Sequence, residues 1–386
     1  MDPSPGSSHG ADPMEDRRQL MLDVLEGKPV HRIPVGFWWH YYSVPGALRL
    51  VQDRIKGPSR VPPEVLWRIV PKNPFRAYLT DGLLKSSLAG HKRDYLALRP
   101  DFVKIMSDGF FSHPSILENK VSTAAGLRLV APVGPDHPWI RRQVQFVKEL
   151  VEFYDGEVMV FYSIFAPVQQ FRFFAEYIVK DVEGFQDMLL ESREDVARAA
   201  EIVADDTILL LEALSAETGL DGVFYSVQSA QRRGCDRQHH DEYIKPTDMR
   251  VLDRINELWE HNILHICGYE NYRNDLGYYS QYPASVYNWA VHTEGVTMAQ
   301  GKELFDGVVL GGFDNNAGSL IDVGTSVEVI EFARRLVEES GTDRLILGAD
   351  CTISPDIDLD RLALIRYAAQ EASHRPPGER ITDAGE

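Results

Sequence analysis

Eight short apolar runs recur along the chain, and each stops at a polar or reactive residue. They span 32–40, 101–109, 157–165, 221–229, 262–268, 284–292, 306–314 and 344–351. Their cores are rich in β-branched and aromatic residues, and alternation with polar residues is weak. That is the pattern of strands buried on both faces of a parallel sheet. Helical repeats, with apolar residues three and four apart, lie between many of them: 181–217, 247–260, 297–305, 325–340 and 358–372. Thr247, Thr325 and Asp358 stand where N-caps would start three of these helices.

Eight strands separated by helices predict a single (β/α)8 TIM barrel. The competing arrangement is an open doubly wound sheet with a second domain. The eight-fold count uses the whole chain, and no linker divides it. The span 41–100 is rich in Pro and aromatics and predicts an elaborated loop after strand 1. Residues 1–15 read as a disordered leader, 16–373 as the barrel, and 374–386 as a disordered tail.

A barrel puts chemistry at the C-terminal ends of its strands. The residues expected at that mouth are His40, Asp108, Tyr162, Gln228, Cys267, His292, Asp314 and Cys351. Composition narrows what they do. A net charge of −18 and the lack of a long basic run argue against nucleic acid as partner. No window approaches the length of a transmembrane span. Three cysteines in 386 residues make no disulfide framework, so a reducing, cytoplasmic setting is expected.

Two of those cysteines fall at strand ends. His265 and Cys267, in "NILHICG", are two apart, so on a strand both side chains share one face. Cys351 ends another run, "RLILGADC". Two thiolates and an imidazole suit Zn²⁺ and leave a fourth position open, as in catalytic sites. The plain alternative is buried cysteine acting as a small hydrophobe. The third cysteine, Cys235, sits in a polar stretch and reads as a non-ligand. The run "DRQHHDE" beside it is the weaker metal candidate, because adjacent histidines point in different directions.

"NILHICG", "VLGGFDN" and "LILGADCTISPDIDLDRLALIRYAAQ" together resemble the uroporphyrinogen decarboxylase superfamily. The likeness runs over roughly 15–372 and is clearest after 260. It implies a (β/α)8 barrel and places the chain beside one of two branches. The zinc-dependent methylcobalamin:thiol (coenzyme M) methyltransferases carry His-x-Cys and a distant Cys as zinc ligands, matching His265, Cys267 and Cys351. The decarboxylases carry arginines in a first strand like "MRQAGRY", where this chain reads "GFWWHYYS", and a histidine where it has Cys351. One decarboxylase feature remains: "MSDGFF" sets Asp108 near that branch's essential aspartate.

The resemblance therefore implies a zinc-dependent transferase moving a methyl or similar alkyl group to a thiol-like small molecule. A corrinoid such as methylcobalamin, free or on a corrinoid protein, would be the donor. The alternative is a decarboxylase or lyase acting on a small carboxylated substrate through Asp108. In "YNWAVHTEG", His292 and Glu294 compete for a fourth zinc position. His40, Tyr162, Gln228, Trp289 and Asp314 are the expected substrate-facing residues. Asp314 is also a candidate to hold a zinc-bound imidazole.

Overall fold

In the computed structural model, each apolar run contains a strand. The structure describes residues 16–41, 81–228, 235–268, 273–354 and 357–373. The strands are β1 Val35–Gly36, β2 Phe102–Ile105, β3 Met159–Phe165 and β4 Gly222–Val227. They continue with β5 Ile263–Ile266, β6 Val286–Trp289, β7 Val308–Phe313 and β8 Leu345–Ala349. All pairings are parallel, in the order β1-β8-β7-β6-β5-β4-β3-β2, with helices between strands. The fold is a (β/α)8 barrel, as the strand count predicts. The elaborated loop expected after β1 falls largely in 42–80, and the leader and tail in 1–15 and 374–386. These lie outside the described residues.

Side chains bring β1 against β2 where a ladder does not. The Val35 amide donates to the Asp101 carboxylate at 2.7 Å, and the Asp101 amide donates to the Val35 carbonyl at 3.1 Å. Buried Arg32 holds the same carboxylate through two hydrogen bonds of 2.6 and 2.7 Å. Further along, the Met106 amide donates to Nε2 of His91 at 3.1 Å. Buried backbone groups that lack a strand partner thus find one on a side chain.

The barrel interior is filled by alternate residues of the strands: Trp38, Phe102, Phe161, Phe224, Ile263 and Leu310 among them. Each such side chain contributes about 1.5–3 kcal/mol by leaving water. The helix Arg17–Leu25 adds Met21 and Val24 to this cluster, and Arg18 pairs with Asp221 just before β4. This helix closes the N-terminal end, so the open mouth is at the other.

The helices follow the predicted repeats with two differences. The repeat over 181–217 forms two helices, Val182–Glu191 and Arg193–Glu217, broken at Ser192. Thr247 is not a cap, because its helix, Lys245–Leu258, starts two residues earlier and its hydroxyl donates to the Ile244 carbonyl. Thr325 does cap Ser326–Ser340, in a reciprocal box with Glu328. The Asp358 carboxylate accepts from the Asp360 amide at 3.0 Å.

Candidate metal centre at the barrel mouth

β5 carries His265 and, just past its end, Cys267 on the inward face. β8 ends at Ala349 and delivers Cys351 two residues later. The three converge. Cys267 Sγ and Cys351 Sγ are 3.9 Å apart, and Cys351 Sγ is 3.5 Å from His265 Nε2. All three ligand atoms lie within 4.8 Å of one another. A tetrahedral zinc with ordinary Zn–S and Zn–N bonds sets S···S near about 3.8 Å and S···N near about 3.6 Å. The two measured separations match edges of that tetrahedron. Among the described residues, this is the one group of three or more His, Cys, Asp or Glu so arranged.

Asn288, opposite His265 in the β5–β6 pairing, fixes the imidazole. Its side-chain NH₂ donates to the carbonyls of Leu310 at 2.8 Å and Ala349 at 3.2 Å. That turns its oxygen toward His265 Nδ1, 2.5 Å away. An amide oxygen only accepts, so Nδ1 carries the proton and Nε2 presents its lone pair to the two sulfurs. This is the outer support that orients a metal-binding histidine.

The two thiols shift each other in opposite directions. Cys351 is pulled well below the usual thiol range, first by its contact with Cys267, then by His265 and the Lys104 ammonium. The same contact, with burial, holds the proton on Cys267. Arg172, fully buried on the helix Pro167–Phe173 and 3.4 Å from Glu176, offsets part of that effect. Metal binding at this pair would displace the thiol protons.

Asp350 locks the frame around Cys351. Its carboxylate accepts from the amides of His292 at 2.9 Å and Gly312 at 3.2 Å. Gly312 reaches it with φ +101°, a conformation that favours glycine. Across the mouth, buried Asp108 accepts from the Tyr41 amide at 2.6 Å and faces His40 Nδ1 at 2.7 Å.

The family model for uroporphyrinogen decarboxylase (URO-D) matches residues 112–372, well over half of the chain. The chain belongs to the URO-D family. No curated protein sequence matches it. Among solved structures, a methyltransferase from Methanosarcina mazei aligns with TM-score 0.62 at 16% identity, covering 92% of this chain and 98% of that one. A B12-independent methionine synthase from Shewanella sp. W3-18-1 aligns with TM-score 0.49 at 13% identity, covering 76% and 88%. These likenesses are of fold.

Within this family barrel, the residues expected from sequence divide cleanly. His265, Cys267 and Cys351 come together, and His40 with Asp108 faces the same mouth. Gln228 joins them. The register Val227↔Ile266 sets it beside Cys267, and its side-chain nitrogen is buried without a hydrogen-bond partner. Tyr162 and Trp289 do not join them. The Tyr162 hydroxyl donates outward to Gln143, at 2.7 Å, on the helix Pro138–Tyr154. The Trp289 indole donates to the Val296 carbonyl and packs on Phe305. Both sit mid-strand or at a strand end with the wrong parity, and in a period-two strand one residue reverses the face. Their neighbours Ser163 and Asn288 hold the inward positions.

His292 is not a fourth ligand here: its Nε2 lies 3.1 Å from the Gly312 carbonyl, turned toward β7. Glu294 accepts from the Asn274 amide and side chain, so it organises the segment after β5. Asp314 accepts from the Asn316 amide at 2.9 Å and closes its own turn, leaving the imidazole to Asn288. Cys235 is buried in the outer helical layer, where burial pushes its pKa up to about 12. His240 of "DRQHHDE" is buried among Tyr278, Tyr279 and Tyr282, outside the metal group.

The sequence reading missed Lys104. It is buried on β2, with its ammonium 3.7 Å from the Phe224 ring centre and 4.9 Å from that of Trp38. The signal was present: a lysine inside an apolar run, on the parity of Asp108.

Proposed function

We propose that this chain is a zinc-dependent enzyme that transfers a methyl or similar alkyl group to a thiol-like small molecule, with a corrinoid as donor. The carrying observation is the triad His265, Cys267 and Cys351, two of whose separations, Cys267–Cys351 and Cys351–His265, match tetrahedral edges and whose imidazole is oriented by Asn288. The donor set is soft, with one open position, as in catalytic zinc sites. The Methanosarcina mazei protein of similar fold is a methyltransferase, which supports this reading.

Zinc at these ligands would lower the pKa of an acceptor thiol, so that its thiolate forms near neutral pH. The chain's own residues prepare the rest. Asn288 keeps Nε2 aimed at the site. Asp350 holds the last turn that carries Cys351. Gln228, with a buried donor beside Cys267, hydrogen-bonds the acceptor, and His40 and Asp108 face it from across the mouth. A corrinoid protein would deliver the methyl group to the open end. No helix among the described residues is long and apolar enough to cross a membrane, and a cytoplasmic setting would keep the two thiols of the site reduced.

The alternative, decarboxylation or elimination on a small acid through Asp108, is the weaker reading. Both oxygens of Asp108 are engaged, by His40 and the Tyr41 amide, so it acts on a substrate through His40. The deciding experiment is turnover of a thiol with methylcobalamin, followed by the corrinoid spectrum. Demethylation that requires both zinc and thiol supports the proposal. Carbon dioxide release from small acids, with no corrinoid demethylation, replaces it with the alternative.

A further inference from the structure

Lys104 is anomalous on physical grounds. An ammonium has three donors, and a buried one is normally hydrogen-bonded or ion-paired. This residue is 7% exposed, and among the described residues its nitrogen makes no hydrogen bond or ion pair. It rests instead against the faces of Phe224 and Trp38. Two aromatic faces attract a cation, but they leave its donors unused.

The placement of that charge is specific. Phe224 packs against both: the ammonium lies 3.7 Å from its ring centre, and the His265 ring centre lies 5.3 Å from it. Among the described residues, the Lys104 nitrogen makes no hydrogen bond to a ligand of the proposed metal. Burial pulls its pKa down to about 8, and the nearby Cys351, Cys267 and Asp108 work against that by favouring the charged form. On its other side, the gap between β1 and β2 is lined by Tyr41, His91 and Asp94.

Charge counting gives this cation a task. A divalent cation, two cysteine thiolates and a neutral imidazole sum to zero. A neutral acceptor would leave the centre balanced, whereas a thiolate acceptor adds one negative charge in a buried, low-dielectric place. We propose that Lys104 is the positioning residue that balances that charge, so that the site selects acceptors arriving as anions over neutral ligands of similar size. This rests on the metal-centre reading above, and extends it to the class of acceptor.

The test uses the full chain loaded with Co²⁺, whose visible absorption reports ligands at the metal. Wild type, Lys104→Met, Lys104→Gln and Lys104→Arg are titrated with 2-mercaptoethanol, which binds as an anion, and with imidazole, which binds neutral. A unit charge packed against the same aromatic ring as His265, at an effective dielectric of about 20, changes anion affinity roughly tenfold. The expected result is a tenfold loss of mercaptoethanol affinity in Lys104→Met and Lys104→Gln, unchanged imidazole affinity, and recovery in Lys104→Arg. Unchanged thiol affinity, or equal loss for both ligands, overturns the assignment. Wild-type protein that binds imidazole but no thiol overturns the thiol-acceptor reading itself, and this inference with it.

Discussion

His265 donates through Nδ1 to the side-chain oxygen of Asn288, and Asn288 is itself pinned by two backbone carbonyls on β7 and β8. Three strands thus decide which nitrogen of one imidazole faces the sulfurs. Removing that acceptor by Asn288→Ala should lower zinc affinity about 10–100-fold. Asn288→Asp keeps an acceptor for Nδ1 and should retain most of the affinity. Competition with a chromophoric chelator measures both, and equal affinities in wild type and Asn288→Ala would remove Asn288 from the metal centre.

Purified protein should hold one zinc per chain by elemental analysis. Cys267→Ala and Cys351→Ala should each lose it, since two remaining ligands hold a borderline cation poorly. Cys235→Ala should keep it, because that thiol lies in the outer helical layer. Zinc retained in both ligand variants sinks the assignment.

Uroporphyrinogen should not be decarboxylated. Its carboxylates need cationic partners, and the segment at the end of β1 here carries Phe37, Trp38, Trp39 and His40 and no arginine. Coproporphyrinogen formed at an enzymatic rate in a direct assay would show this to be wrong.

Asp248 gives a pH prediction away from the metal. It is buried on the helix Lys245–Leu258, and loss of solvent pushes its carboxyl up to about 8, against the pull of the Tyr282 hydroxyl that donates to it at 3.1 Å. In the unfolded chain the group ionises near about 4. The folded state therefore keeps a proton that the unfolded state releases. Its stabilising contribution is full below about pH 4 and is lost as pH rises toward about 8. Asp248→Asn should flatten that slope and be more stable at pH 8 by about 1–3 kcal/mol. Urea unfolding of both proteins at several pH values checks it. Parallel pH profiles would mean that Asp248 is ionised in the native barrel.

The barrel was legible in the sequence because all eight strands are short apolar runs, and burial on both faces leaves no other pattern. The candidate ligand group was legible because His265 and Cys267 obey the two-residue period at a strand end. Tyr162 and Trp289 failed by the same rule. Polar-tipped aromatics attract attention, yet Ser163 and Asn288, one residue away, have the inward parity. Lys104 showed a local signal, a lysine inside an apolar run, but its surroundings, like those of Asp350, were not legible. Their roles depend on strands distant in sequence: Phe224 and Trp38 around the lysine, and the His292 and Gly312 amides on the aspartate. Local pattern carries no record of such neighbours.

Asp108 sets the last prediction. It is buried, with one oxygen on the Tyr41 amide and the other facing His40 Nδ1, while the His40 ring stays partly exposed at the mouth. A carboxylate there accepts from Nδ1–H and so fixes the tautomer with the lone pair on Nε2. Asp108→Asn can keep the Tyr41 bond but offers its NH₂ to Nδ1, which favours the opposite tautomer. If His40 moves a proton or holds the acceptor through Nε2, turnover should fall about 10²–10⁴-fold while zinc content and fold are kept. His40→Ala should fall to a similar level, and the double variant should be no worse than either alone, because the two residues act as one unit. Loss of solubility or of zinc in Asp108→Asn would instead mark Asp108 as a brace for the segment after β1. Near-normal turnover in Asp108→Asn would take both residues out of the chemistry.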